Sequence, residues 1–105
     1  MSLQGRFVIG AFGGVEPVKR SDGTTVSGFN EVTVVEARGQ SEFRHRLAFS
    51  DTDFETGELT RMRMQLDAVA PAAGEIVAVR FMTKGREYKG KAYYNDTALG
   101  IERLS

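Results

Sequence analysis

The spacing of apolar residues changes twice along this 105-residue chain, and the change limits the folds that it can adopt. Residues 41–50 alternate in the manner of a strand, with one set of side chains on a single face: Phe43, His45, Leu47 and Phe49. Apolar residues then recur at steps of three, four and three, as on one face of a helix: Leu59, Met62, Leu66 and Val69. A strand-like apolar run, 76–81, follows, so a helix is predicted between strands.

Five strands are predicted in all. The first three are Gln4–Phe12, Phe29–Ala37 and Ser41–Ser50. The last two form one long hairpin over Gly74–Leu104, with its turn segment at Lys84–Lys91. Between the first two strands, Glu16–Gly28 is predicted to be a loop because it contains Pro17 and the turn-forming run 21–23.

The helix is predicted over Glu58–Val69. Residues 52–55, Thr-Asp-Phe-Glu, match a capping box ahead of it, while Pro71 and Gly74 end it. Three strands, a helix and two strands is the order of the OB fold, a five-stranded Greek-key barrel with one helix between its third and fourth strands. We therefore predict a single all-β OB-fold domain over residues 1–105. An SH3-like barrel and a small α+β sandwich are the competing architectures.

The barrel interior is predicted from the apolar faces of the strands and the helix. Six residues are expected to be buried: Leu47, Phe49, Leu66, Val77, Val79 and Phe81. The single histidine, His45, is interpreted as a hydrogen-bonded, partly buried residue rather than a catalytic one.

The composition excludes several classes of protein. No apolar run is long enough to span a membrane, and no signal-peptide core is present, so a cytoplasmic location is expected. Zero cysteines remove disulfides, thiolate nucleophiles and cysteine-based zinc sites. No nucleophile elbow, phosphate-binding loop or histidine-pair motif occurs, so we expect no catalysis, no metal and no cofactor.

Cations and tyrosines concentrate within the predicted hairpin, in residues 80–94. Glu87 is the only acid among them, beside five cations and three tyrosines: Arg80, Lys84, Arg86, Lys89, Lys91, Tyr88, Tyr93 and Tyr94. Because the whole chain has a formal net charge of zero, this density is local. Single-stranded nucleic acid matches the combination, since its bases stack on aromatic rings and its phosphates attract positive charge.

The candidate nucleic-acid-binding residues add two cations of the third strand to this set. They are Arg44, Arg46, Arg80, Lys84, Arg86, Tyr88, Lys89, Lys91 and Tyr93. Arg44 and Arg46 share one face of their strand. There they either extend a basic track or pair with Glu42 and Glu36.

The hairpin also has an ordinary structural interpretation, because tyrosine and lysine are common on exposed strands. Tyr93 and Tyr94 are neighbours and point to opposite faces, which predicts at least one of them in the core. Of the two interpretations, nucleic-acid contact is our prediction.

Two motifs near the C-terminus resemble those of small bacterial and phage OB-fold domains, among them single-stranded-DNA-binding proteins. Residues 74–79, Gly-Glu-Ile-Val-Ala-Val, are similar to the G-D/E-x-V-x-V strand of that group. Residues 86–91, Arg-Glu-Tyr-Lys-Gly-Lys, are similar to its R-x-Y-x-G-K/R loop, and an aromatic strand follows. The resemblance covers about thirty residues and departs from the family in having no tryptophan. It implies an OB fold and a single-stranded-DNA-binding role.

We therefore expect a non-catalytic protein that binds single-stranded DNA, favoured over RNA, through base stacking and phosphate neutralisation. A homodimer is expected because one domain holds only a few nucleotides. The alternative is an OB-fold protein-interaction module in a replication or phage assembly, which the neutral net charge favours.

Overall fold

A computed structural model describes residues 6–104, apart from the side chain of Arg86. Five strands and one helix follow one another: β1 Arg6–Lys19, β2 Thr25–Arg38, β3 Ser41–Ser50, α1 Arg61–Val69, β4 Ile76–Tyr88 and β5 Lys91–Arg103. The strands close into a barrel in the order β1-β2-β3-β5-β4, which is the OB fold. The predicted start of the first strand at Gln4 lies outside the described residues.

Two features close the sheet on itself. β1 pairs antiparallel with both β2 and β4, and a bulge between Phe12 and Gly14 lets it bend from one partner to the other. β3 meets β5 in parallel through a single pair, Ala48 and Thr97. This single pair joins the two halves of the barrel on the side away from β1.

Side chains from all five strands and the helix fill the interior of the barrel. Five of the six residues predicted to be buried are buried: Leu47, Phe49, Leu66, Val77 and Val79. Phe81 is the exception and is half-buried against the edge of the core. It pairs with Arg6, the first described residue of β1, and lies at the end of the described β1–β4 ladder.

The loop predicted over Glu16–Gly28 is wrong. β1 continues to Lys19 and β2 begins at Thr25, so most of the segment is strand. Pro17 is tolerated because this part of β1 pairs only with β2, and the missing N–H costs no ladder bond on the other side. The connecting turn is held by Asp22, whose carboxylate accepts hydrogen bonds from the N–H and hydroxyl of Thr24.

The predicted helix exists but begins three residues later than expected, at Arg61. Thr60 is its N-cap: the hydroxyl oxygen accepts a hydrogen bond from the N–H of Arg63 at 3.2 Å. The capping box predicted at residues 52–55 is wrong, because Thr52 instead forms a bridge with Leu59. No helix in residues 6–104 is long and apolar enough to cross a membrane.

Candidate functional site

The β4–β5 hairpin extends beyond the described part of β1. Within residues 6–104, β1 pairs with β4 as far as Phe81, while β4 and β5 remain paired with each other out to Tyr88 and Lys91. We call residues 82–97 the arm. Its turn is tighter than the predicted segment and consists of Lys89 and Gly90, whose φ angles of 52° and 79° are those of a type I′ turn.

The pairing register of the arm sorts its side chains onto two faces. Buried Val79 points into the barrel, so its neighbour Arg80 points outward, and alternation continues from there along β4. Each residue of β5 lies on the same face as the β4 residue that it pairs with. The outer face of the arm carries Met82, Lys84 and Tyr88 from β4, and Lys91, Tyr93, Asn95 and Thr97 from β5, and Arg80 continues this face at the base of the arm. None of these eight described residues is acidic.

The opposite face of the arm holds the acids. Glu87 pairs with Ala92, and Asp96 accepts a hydrogen bond from the hydroxyl of Thr83 at 2.6 Å. The single acid that the sequence placed among the hairpin cations therefore lies on the far side of the sheet from Lys84 and Lys91.

The two neighbouring tyrosines do point to opposite faces, as predicted, but neither enters the core. Tyr93 is 44% exposed and Tyr94 is 71% exposed. Both lie on the arm, where no second layer formed by residues 6–104 packs against the sheet. The Tyr94 ring lies over Gly85: a Cβ at Gly85 would come within 2.9 Å of its Cε1. Tyr94 thus covers the strand backbone, whereas Tyr93 lies beside the lysines on the outer face.

Tyr88 lies at the end of the outer face and is 57% exposed. The Nζ atom of Lys89 lies 5.4 Å from the centroid of its ring, within the range of a cation–π contact. Arg86 is paired through its backbone with Tyr93, while its side chain lies outside the described part of the structure.

The two arginines of β3 face outward, on the same side as the outer face of the arm. Leu47 and Phe49 point into the barrel, so Arg44 and Arg46 point away from it, and both are exposed. The Ala48–Thr97 pair aligns the outer surfaces of β3 and β5. The arginines precede that pair on β3, as Tyr93 and Asn95 precede it on β5.

The ion pairs of the described residues use other cations. Glu36 accepts from Arg38 at 3.0 Å and lies 2.7 Å from Nε2 of His45. These two hydrogen bonds, that of Arg38 first, lower the pKa of Glu36. His45 is half-buried and hydrogen-bonded, as predicted. The alternative in which Arg44 and Arg46 pair with Glu42 and Glu36 does not occur among the described ion pairs.

Two further cations are also engaged with carboxylates. Arg63 binds Asp51 and Asp67, and Arg103 binds Glu75 at 2.9 Å. The hydrogen bond from Arg63 lowers the pKa of Asp67. No ion pair among the described residues involves the cations of the candidate site whose side chains the structure describes: Arg44, Arg46, Arg80, Lys84, Lys89 and Lys91.

A second cluster of charge lies at the far end of β3. We call residues 51–58 the acidic loop; it contains Asp51, Asp53, Glu55 and Glu58. Asp53 accepts hydrogen bonds from the N–H groups of Glu55 and Thr56, and Phe54 packs on Phe29 with ring centroids 5.9 Å apart.

Sequence reasoning found the tyrosines and cations of the arm but missed Met82, Asn95 and Thr97, which share its outer face. Their positions follow from the pairing of β4 with β5, and this pairing includes a bulge between Arg80 and Phe81. The only available signal was strand alternation, which indicates the right face only once the bulge and the turn are known.

No protein-family model matches the chain, and no match was found among curated proteins. Among solved structures the chain is similar to a small single-stranded DNA-binding protein from Streptomyces coelicolor, with 12% sequence identity and a TM-score of 0.31. The similarity covers 97% of this chain and 96% of that one.

Proposed function

We propose that this protein binds single-stranded DNA on the outer face of the arm without catalysing a reaction. The observation that carries the proposal is the sorting of side chains by the β4–β5 register. Four described residues that suit a single strand share one acid-free sheet face: Lys84, Tyr88, Lys91 and Tyr93.

Phosphate neutralisation is the first part of the mechanism. A cation that already holds a carboxylate must give up that partner before it can bind a phosphate, whereas an unpaired cation exchanges only water and counterions. Lys84 and Lys91 are exposed and make no ion pair among the described contacts. Arg44 and Arg46 of β3 extend the same positive surface towards the barrel.

Base stacking is the second part. Tyr88 and Tyr93 are each about half exposed, at 57% and 44%. Each lies opposite a cation position in the ladder, Tyr88 opposite Lys91 and Tyr93 opposite Arg86. A base stacked on either ring would therefore have its phosphate close to a cation position on the facing β-strand. Stacking needs an unpaired base face, so single strands are preferred to duplex.

The proposed ligand is DNA rather than RNA, and the proposed functional unit is a homodimer. The eight outer-face residues span a single hairpin, which holds few nucleotides, so a second copy would lengthen the bound strand.

The direct test is a fluorescence-anisotropy titration of the protein with labelled oligonucleotides. We expect single-stranded DNA to bind more tightly than its duplex and than the same RNA sequence, and the affinity to fall as salt rises. Titrations at two salt concentrations measure the slope, on the order of 0.7 per phosphate contact on a single strand. Absence of binding to single strands at low salt would falsify the proposal. Equal binding to duplex would show that the arm binds DNA through its charge and not through base stacking.

A protein-interaction module is the second candidate function, and exposed apolar residues favour it. Ile9 and Ile76 are 53% and 41% exposed on the outer surface of β1 and β4, beside buried Ala78. Exposed apolar patches of this kind mark contact surfaces. If single strands do not bind, and the mass measured by sedimentation changes in Ile9→Glu, this second candidate replaces the first.

A further inference from the structure

A groove of about 230 Å³ lies at the inner end of the arm, on the outer surface of the barrel. It forms where β1, β4 and β5 meet the first turn of α1, and Phe7, Arg61 and Arg80 are among its lining residues. The volume is below the roughly 300–1,000 Å³ of typical small-ligand pockets, which favours one flat group over a whole cofactor.

The groove has an aromatic wall and a floor of small residues. Phe7 pairs with Arg80 across β1 and β4, and its ring is 58% exposed. Ala78 and Gly100 line the floor, and both are buried. The side chain of Gln65 is fixed beside them because its Oε1 accepts a hydrogen bond from the N–H of Ile101 at 2.9 Å. A flat group can therefore lie on Phe7 without displacing a large side chain.

The charges of the groove favour a polyanion. Arg61 and Arg80 line it, and neither makes an ion pair among the described contacts. Glu102 also lines it and is exposed, so it opposes the two arginines in part. One carboxylate against two guanidinium groups leaves the groove positive.

Arg80 lines this groove and also continues the outer face of the arm at its base. Along β4, Tyr88 and Arg80 are eight residues apart, about 26 Å at the usual rise of a strand. The groove therefore continues the row of cations and rings without a break at Arg80.

We propose that a single strand bound on the arm continues into this groove, where one base stacks on Phe7 and the flanking phosphates contact Arg61 and Arg80. This inference rests on the proposed function and extends it. It predicts that the protein distinguishes strands by length: a short strand occupies the arm alone, and a longer one occupies the arm and the groove.

The test is anisotropy with two labelled oligothymidylates, about 4 and about 12 nucleotides long, within the range of site sizes for one OB fold. We expect Phe7→Ala to weaken binding of the longer strand about 5–150-fold and to leave the shorter one within about twofold. Arg61→Gln weakens only the longer strand and lowers its salt slope by on the order of 0.7. Glu102→Gln removes the carboxylate that opposes the two arginines and is expected to tighten binding of the longer strand.

Phe54→Ala is the matched control, because Phe54 is an even more exposed phenylalanine (86%) in the acidic loop. It is expected to leave both affinities unchanged. Circular dichroism and urea titration establish that each variant is folded. If Phe7→Ala leaves both affinities unchanged, or weakens both equally, the continuation into the groove is wrong while DNA binding by the arm stands.

Two other results are distinguishable from these. If the wild type binds neither strand, the proposed function itself fails. If Phe7→Ala instead changes the mass measured by sedimentation, Phe7 lies in a contact between copies of the chain, and the inference is overturned.

Discussion

The arm and the acidic loop both concentrate charge and aromatic rings, and they use them in different ways. In the acidic loop, Asp51 holds Asn30 and Arg63, Asp53 closes a turn, and Phe54 packs on Phe29. The carboxylates of Asp51 and Asp53 therefore already have partners within the fold.

On the outer face of the arm, the charged side chains lack such partners among the described contacts. Lys84 and Lys91 make no ion pair, and Tyr93 has no layer packed over it. A residue type thus says little about function until its partners are known. The comparison predicts that substitutions in the arm change binding and that substitutions near the acidic loop change stability.

The largest expected effect is on binding, from Tyr88→Ala. Loss of the ring should cost about 1–3 kcal/mol of affinity for single-stranded DNA, the usual range for a stacked base, measured by anisotropy. Tyr88→Phe keeps the ring and should be nearly silent. The free energy of unfolding should change by less than about 0.5 kcal/mol, because the side chain is exposed. A Tyr88→Phe variant as weak as Tyr88→Ala would contradict stacking and indicate a role for the hydroxyl.

The next largest effect is on stability, from Thr60→Ala beside the acidic loop. Its hydroxyl caps α1 and also donates to the carbonyl oxygen of Ser50 at 2.8 Å. We expect a loss of about 1–2 kcal/mol in urea titration, since both bonds disappear. DNA affinity should be unchanged at temperatures where the variant is folded. Equal stability of variant and wild type would show that water replaces the cap.

A smaller effect, on both stability and DNA binding, is expected from substitutions of Lys89. Its φ of 52° is unusual for a residue with a side chain, and asparagine is favoured at this position of a type I′ turn. Lys89→Asn should raise the free energy of unfolding by about 0.5–1 kcal/mol. The same variant should lower the salt slope of DNA binding by on the order of 0.7. Lys89→Ala, the control, should lose the slope without gaining stability.

The smallest effect is the acid sensitivity of the ion pairs outside the arm. Hydrogen bonds from Arg38 and then His45 lower the pKa of Glu36 from its usual 4.5. Because the pKa of Glu36 is lower in the folded than in the unfolded protein, the ionised Glu36 side chain stabilises the fold at pH values above its unfolded-state pKa. This stabilisation is lost as the pH falls through the folded-state pKa of Glu36. Unfolding experiments between about pH 6 and pH 3 should show this loss, and Glu36→Gln should make the profile shallower. If the stability of Glu36→Gln falls with pH as steeply as that of the wild type, the contribution of Glu36 to acid sensitivity is contradicted.

The sequence by itself determined the order of the elements and the class of fold. Alternation along Ser41–Ser50 and the helical spacing of Met62 and Leu66 come from burial, which is a local property of each element's apolar face. The same reasoning identified the tyrosines and cations of the hairpin, because composition needs no coordinates.

The tertiary structure alone decided which of those residues lie together. The strands around Pro17 form because β2 supplies a partner, and no local propensity at Pro17 predicts that pairing. Both Tyr93 and Tyr94 stay exposed because the arm extends past the described part of β1, where no layer formed by residues 6–104 covers them. The free or paired state of each cation depends on residues distant in sequence, as Asp51 and Arg63 show. The closure of the barrel sets such contacts, and they cannot be inferred from residues that are neighbours in the sequence.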